Sequence, residues 1–93
     1  DRGDLLGLDG WTIECKRYAS TPGSDGRYKP EWWAQVTRAA NASVTEPVLI
    51  YKYDRHPVRC VVFLSSINPD YAEKDNTATI SFQTWCMLVR EHM

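Results

Sequence analysis

The sequence predicts a single α/β domain over residues 1–93, in which a mixed β-sheet is flanked by helices. Two observations lead to this fold class. Short runs of β-branched and aromatic residues, which favour strands, recur along the chain, and two stretches carry apolar residues at helical spacing. The hydrophobic fraction of 43% is enough for a compact but small core. We expect the order β-β-α-β-β-α, and we expect the natural chain to extend upstream of Asp1 with a further helix.

Each predicted element rests on a local signal. Pro30 opens a helix because proline is favoured in a first turn, and Ser81 can cap the last helix. In chain order, we predict strands at 4–8 and 11–17, a loop at 19–30, a helix from 30 to between 41 and 45, strands at 48–53 and 58–64, a polar excursion at 65–76, a short extended piece at 77–80 and a helix from 82 to about 91.

The composition of the chain argues against several classes of protein. The net charge is −1, with 11 basic and 12 acidic residues, so bulk charge does not predict nucleic-acid binding. Three widely spaced cysteines without a CxxC pair argue against a disulfide framework and against a zinc site. The sequence has neither a secretory signal nor a long apolar span. We therefore expect a cytoplasmic protein that does not enter a membrane.

The most informative motif is Glu14-Cys15-Lys16, which ends an apolar run, with a second acid, Asp4, upstream. If residues 8–10 form a three-residue hairpin loop with Gly10 in the left-handed region, Asp4 pairs directly with Glu14. Directly opposed side chains point to the same face with Cβ atoms about 4.5–5.5 Å apart, and Lys16 shares that face. A two-residue loop would instead oppose Asp4 to Cys15, on the other face.

Two facing carboxylates repel each other unless a cation lies between them. Hard oxygen ligands suit Mg²⁺ or Mn²⁺, so the motif predicts a divalent-metal site beside an amine. The alternatives are that Asp4 is a turn or cap acid, with Asp9 as a rival, and that Glu14 and Lys16 form a solvated pair on the strand.

The motifs resemble those of the PD-(D/E)xK nuclease superfamily, and within it those of phage Holliday junction resolvase-like endonucleases. The resemblance rests on Gly3-Asp4-Leu5, on the strand 11–17 with its Glu-Cys-Lys, and on Trp33-Ala34-Gln35 in the next helix. It covers about residues 3–40 by motif and the rest by order of elements. Gly3 stands where many members have proline. The resemblance implies a restriction-endonuclease-like core.

The resemblance also implies a site and an activity. Asp4, Glu14 and the carbonyl of Cys15 would bind Mg²⁺ or Mn²⁺. Lys16 would orient or deprotonate the attacking water, and Gln35 would hold Lys16, a water molecule or a phosphate. The implied enzyme is a metal-dependent DNA endonuclease of a bacterial or phage-infected cell. It resolves branched DNA as a homodimer, because two symmetric cuts need two sites.

Further residues around the motif are candidates for contacts. The candidate phosphate contacts are Arg17, Arg27, Lys29 and Arg38. Tyr51 and Tyr53, or the apolar side of the last helix, are candidates for the dimer interface, and one of Trp32 and Trp33 is expected to face outward or into a partner. Two alternatives stay open: a nuclease of the same fold acting on another DNA structure, and a non-catalytic module that binds DNA or protein.

Overall fold

A computed structural model describes residues 10–19, 26–68, 70 and 76–91 of the chain. Its elements are β1 Trp11–Tyr18, α1 Pro30–Ser43, β2 Glu46–Tyr53, β3 Arg59–Phe63, α2 Leu64–Ile67, β4 Thr77–Ser81 and α3 Phe82–Glu91. Within these ranges, no helix combines the length and the apolar character that a membrane crossing requires.

The four strands form one mixed sheet in the order β1-β2-β3-β4. β1 and β2 run parallel, whereas β2–β3 and β3–β4 are antiparallel. The parallel pair is connected through α1, as a parallel pair requires a crossover. The mixed sheet with helices confirms the predicted fold class.

The order of the described elements is β-α-β-β-α-β-α, which differs from the prediction. The strand predicted at 4–8, and with it the hairpin, lies outside the described residues. The extended piece predicted at 77–80 is a full strand, β4, which pairs with β3 over its whole length. The short helix α2 at 64–67 was not predicted, because a four-residue helix has too little periodicity to be recognised.

One face of the sheet is covered by α1. Trp32 and Val36 of the helix pack on Leu49, Tyr51 and Tyr53 of β2, together with Val61 of β3. Tyr51 and Tyr53 are 3% and 1% exposed. They are therefore core residues of the domain, and the suggestion that they supply a dimer interface is wrong.

The opposite face is covered by α3. Trp85 and Val89 pack on a row of sheet residues made up of Ile13, Val48, Ile50, Cys60 and Val62. The apolar side of α3 is thus already buried within the domain. Because β2 and β3 are covered on both faces, their sequences are nearly continuous apolar runs.

Both adjacent tryptophans of α1 contact the sheet. Trp32 is buried, and Trp33 is half-buried with its ring 5.2 Å from that of Phe63 in β3. The expectation that one of them faces outward is wrong, because the helix lies across the sheet and the two rings contact different strands.

The C-terminus of α1 contains a strained residue. Val44 has φ 55° and ψ 51°, in the left-handed region, and its side chain is 92% exposed. The N–H of Thr45 donates to the Ala40 carbonyl over 3.0 Å, which closes the helix end. Glycine or asparagine usually occupies such a position, and the Cβ of another residue costs roughly 1–2 kcal/mol there.

We therefore predict that Val44→Gly raises the free energy of unfolding by about 1 kcal/mol, because it removes this backbone strain. Chemical denaturation measures the change. Val44→Ala is the matched control: it also removes the exposed side chain but keeps the Cβ, and it should gain much less. Equal stabilisation by both variants would contradict the strain account.

Two cysteines flank Ile50 in one row across the sheet: Cys15 pairs with Ile50, and Ile50 pairs with Cys60. Burial, together with the nearby Cys86 and Cys15 thiols, raises the pKa of Cys60 from 9.0 to about 12. Cys60 therefore stays protonated in the folded state at a pH where the thiol of an unfolded chain ionises.

This pKa shift predicts a pH dependence. Between the unfolded and folded pKa values the unfolded state has lost the proton, so stability falls as pH rises above about 9. Cys60→Ala removes this contribution but leaves a small cavity. We expect the wild type to be the more stable protein at pH 8, with the difference narrowing toward pH 10.5 in denaturation experiments. A constant difference would contradict the assignment.

Candidate active site

β1 carries an acid and an amine, Glu14 and Lys16, on the same face. Ile13 is buried against α3, so alternation along the strand directs Thr12, Glu14, Lys16 and Tyr18 to the face that α1 covers. The Lys16 Nζ lies 3.9 Å from the Glu14 carboxylate, and the two side chains are 23% and 27% exposed. An amine and a carboxylate thus meet on one face of the strand, as the sequence pattern predicts.

This pair lies at the border of the α1 core. Glu14 is in register with Leu49, and Lys16 with Tyr51, and both of these neighbours are buried. β1 itself is one of the two edge strands of the described sheet. The charged groups therefore have apolar neighbours on one side while remaining accessible to a ligand.

Helix α1 is held over β1 at both ends. At its C-terminus, Thr12 contacts the hydroxyls of Ser43 (3.2 Å) and Thr45, and these two lie 3.0 Å apart. At its N-terminus, the Trp32 ring stacks on Tyr18 with centroids 5.0 Å apart. The position of the helix relative to the charged pair is therefore fixed.

Gln35 lies on the β1 side of α1. Trp32 contacts Tyr18 of β1, whereas Trp33 contacts Phe63 of β3, and Gln35 is close to Trp32 on the side away from Trp33. The residue is exposed. Its amide is on the correct side of the helix for the predicted role, and it is accessible to a ligand.

Of the metal ligands predicted from sequence, the structure describes Glu14 and Cys15 but not Asp4. The pairing of Asp4 with Glu14 therefore stays a prediction. Gly10 has φ 88°, as the turn before β1 requires in either hairpin geometry. Among the described residues, no group of three His, Cys, Asp or Glu side chains is placed to hold a metal.

The Cys15 thiol lies on the other side of β1. The side chain is on the Ile13 face, opposite to Glu14, so only its carbonyl remains as a candidate ligand. Partial burial, followed by the adjacent Glu14 carboxylate, raises the pKa of the Cys15 thiol. The thiol is therefore not an activated nucleophile.

The four candidate phosphate contacts are spread over the molecule. Arg17 is exposed on the face opposite to Lys16 and forms an ion pair of 3.9 Å with Asp54. Arg38 is exposed on α1, on the side that faces away from the sheet. Arg27 is exposed in the segment before α1. Lys29 lies over the ring of Tyr18, a residue of the Glu14–Lys16 face.

Lys29 is held beside that face by its own segment. The Tyr53 hydroxyl donates to the carbonyl of Arg27 over 2.8 Å. Gly26 has φ 70°, and a Cβ there would be 3.1 Å from the Nδ1 of His56. The chain that enters α1 is therefore packed closely against the end of β2 and the turn that follows it.

Sequence reasoning missed one residue of this face, Tyr18. It lies two positions beyond Lys16 on the same face, and it is 43% exposed. The alternation that linked Glu14 to Lys16 was the signal that could have identified it. Its stacking on Trp32 depends on the helix and could not be inferred from the strand alone.

A known protein family matches most of the chain. The family model described as "Phage putative PDDEXK endonuclease" matches residues 3–89. The chain belongs to this family. The match spans the segment that contains Asp4, the Glu-Cys-Lys strand and most of α3, and it confirms membership of the PD-(D/E)xK superfamily.

The PDDEXK family name indicates a phage endonuclease, which is the coarser of the activities predicted from sequence. It does not specify a DNA structure, a metal or an oligomeric state. No curated protein and no solved structure matches the chain significantly. The closer kinship with Holliday junction resolvases therefore stays a prediction.

Proposed function

We propose that this phage endonuclease hydrolyses DNA phosphodiester bonds with a divalent metal, and that its substrate is branched DNA. The observation that carries the proposal is the Lys16 ammonium, 3.9 Å from the accessible Glu14 carboxylate at the outer strand of the sheet. Acid and amine together are what metal-assisted attack on a phosphate requires.

Stability does not account for this pair. A partly exposed ion pair contributes about 0–1 kcal/mol, and both groups pay a desolvation cost beside the apolar core. Val61 and Leu49 show that this region accepts aliphatic residues, since both are fully buried nearby. A charged pair in this position is better explained by a role in catalysis than by a role in stability.

The residues fit a hard divalent cation in donor type. Glu14 supplies a carboxylate oxygen, and Asp4 and the Cys15 carbonyl would supply further oxygens, which Mg²⁺ and Mn²⁺ prefer. When bound, such an ion neutralises charge on the phosphate and lowers the pKa of a coordinated water molecule. The single carboxylate of the described face makes the contribution of Asp4 essential to the proposal.

The other residues have roles as hydrogen-bond donors. Lys16, as a cation, can donate to a non-bridging phosphate oxygen and orient the attacking water. Gln35 can donate from the helix side to the same phosphate or to the water. Positioned donors of this kind are effective because they are oriented before the reaction begins.

We propose branched DNA as the substrate and a homodimer as the active form because of the resemblance to resolvases. Junctions are distinguished by the spacing and angle of their arms, which a protein reads through phosphate contacts and surface shape. The small net charge supports recognition by local cations such as Lys16 and Lys29 rather than by an extended basic surface.

We predict that Lys16→Met and Glu14→Gln each lower the rate of DNA cleavage in Mg²⁺ by roughly 10²–10⁴-fold. Lys16→Met removes the cation that acts on the reacting phosphate, and Glu14→Gln removes the carboxylate that would hold the metal. The controls are Lys52→Met and Glu46→Gln on β2, which remove the same groups from the opposite face of the sheet. Full cleavage activity in Glu14→Gln would refute the site.

The substrate is tested with a four-way junction, a flap and a linear duplex, each incubated with Mg²⁺ and the wild-type protein. Preferential, symmetric cutting of the junction supports the resolvase proposal. Equal cutting of all three substrates would contradict the proposed junction specificity but would still agree with an endonuclease activity.

Metal binding should be visible without DNA. Mn²⁺ or Mg²⁺ should raise the melting temperature of the wild type, because a ligand that binds the folded state stabilises it by about 2.7 kcal/mol at 100 times its Kd. Glu14→Gln should show no such shift, whereas Glu46→Gln should behave as the wild type. A shift without any cleavage would instead favour the non-catalytic module.

A further inference from the structure

Tyr18 presents an aromatic ring on the same face as the proposed catalytic pair. It is 43% exposed, whereas the other aromatic residues of this cluster are buried or half-buried. Its ring stacks on Trp32 with centroids 5.0 Å apart and an interplanar angle of 28°. One face of the Tyr18 ring is therefore covered by the tryptophan.

Lys29 lies on the same side of the Tyr18 ring as Trp32. Its Nζ lies 4.9 Å from the Tyr18 centroid and 5.7 Å from the Trp32 centroid. A cation on the opposite face of Tyr18 would stand nearly twice as far from Trp32. Lys29 and Trp32 are thus on the same side of the ring, and among the described residues no second aromatic ring stacks on the other side.

This ring is held rigidly. Trp32 is 4% exposed and contacts Tyr51 and Tyr53, with centroids 6.2 and 6.0 Å away. The backbone of Tyr18 is paired with Tyr53 at the end of β2. A ligand that stacks on Tyr18 would therefore lose little affinity to the ordering of the side chain.

The surroundings specify the ligand. Lys16 lies two residues from Tyr18 on the same strand face, a separation of about 6.6 Å along the strand. A flat apolar surface with a cation at its side, next to a phosphate-binding group, is suited to a nucleotide. In a fully paired duplex the base faces are covered by their neighbours, so only an unpaired, unstacked base can occupy this surface.

We propose that Tyr18 is a stacking platform for an unpaired base next to the scissile phosphate, with Lys29 contacting a phosphate of the same strand. This inference rests on the proposed nuclease function and narrows its substrate class. The favoured DNA has an unstacked nucleotide at the cleavage position, as in an open junction centre or a flap, in preference to continuous duplex.

The test measures binding without cleavage, in EDTA, by fluorescence anisotropy of a labelled oligothymidine and of the same strand with every base replaced by an abasic site. Tyr18→Leu should weaken binding of the oligothymidine about tenfold, the usual loss when one stacked base is no longer supported. Tyr18→Phe keeps the ring and should bind as the wild type does. On the abasic strand, Tyr18→Leu and the wild type should bind equally.

The matched control is Met87→Leu, which changes an exposed apolar residue on α3. It should leave binding of both strands unchanged. Thermal melting of each variant shows whether the Trp32 packing survives, and Tyr18→Phe keeps the test valid if Tyr18→Leu is destabilised.

Three results would overturn the inference: oligothymidine binding unaffected in Tyr18→Leu, an equal loss on the abasic strand, or a loss in Tyr18→Phe as large as in Tyr18→Leu. These results are independent of the proposed function, because failure of the endonuclease proposal appears as cleavage that does not depend on Glu14 or Lys16.

Discussion

The parallel pairing of β1 with β2 is the constraint on which the rest of the structure depends. Because side chains alternate along a strand, a shift of one residue would exchange its two faces. The observed register directs Ile13 into the α3 core. The same register places Glu14, Lys16 and Tyr18 together on the α1 side, so the burial of one isoleucine also selects the face that carries the chemistry.

The aromatic cluster beneath α1 connects the core with the site. Trp32 contacts Tyr51 and Tyr53 within the core and Tyr18 at the surface. The same helix carries Gln35 and begins directly after Lys29. Site residues that are supported by packed side chains hold their geometry better than residues on unsupported loops. In this fold, the support of the site and the stability of the domain come from the same contacts.

Local signals in the sequence were sufficient for α1, which begins at Pro30, and for the shared face of Glu14 and Lys16. Non-local packing could not be predicted. Tyr51 and Tyr53 look like surface aromatics until α1 is placed over them, and Tyr18 acquires its role only through Trp32. β4 was underestimated because a run of five residues is short, although its Thr and Ile residues favour a strand; its full extent is defined by pairing with β3. The segment 4–8, which the sequence predicts to pair with Glu14 in a hairpin, lies outside the described residues.

Cys15 has a practical consequence, because its exposed thiol lies on the reverse side of the strand that bears Glu14 and Lys16. A fluorophore or spin label attached there would be one residue from the reactive groups in sequence and yet separated from them by the thickness of the sheet. The buried Cys60, on the same side, would not compete for the reagent, and replacing the half-buried Cys86 would leave Cys15 as the accessible thiol of the described residues. Cys15 is thus a native attachment point from which distances within an assembled protein–DNA complex can be measured spectroscopically.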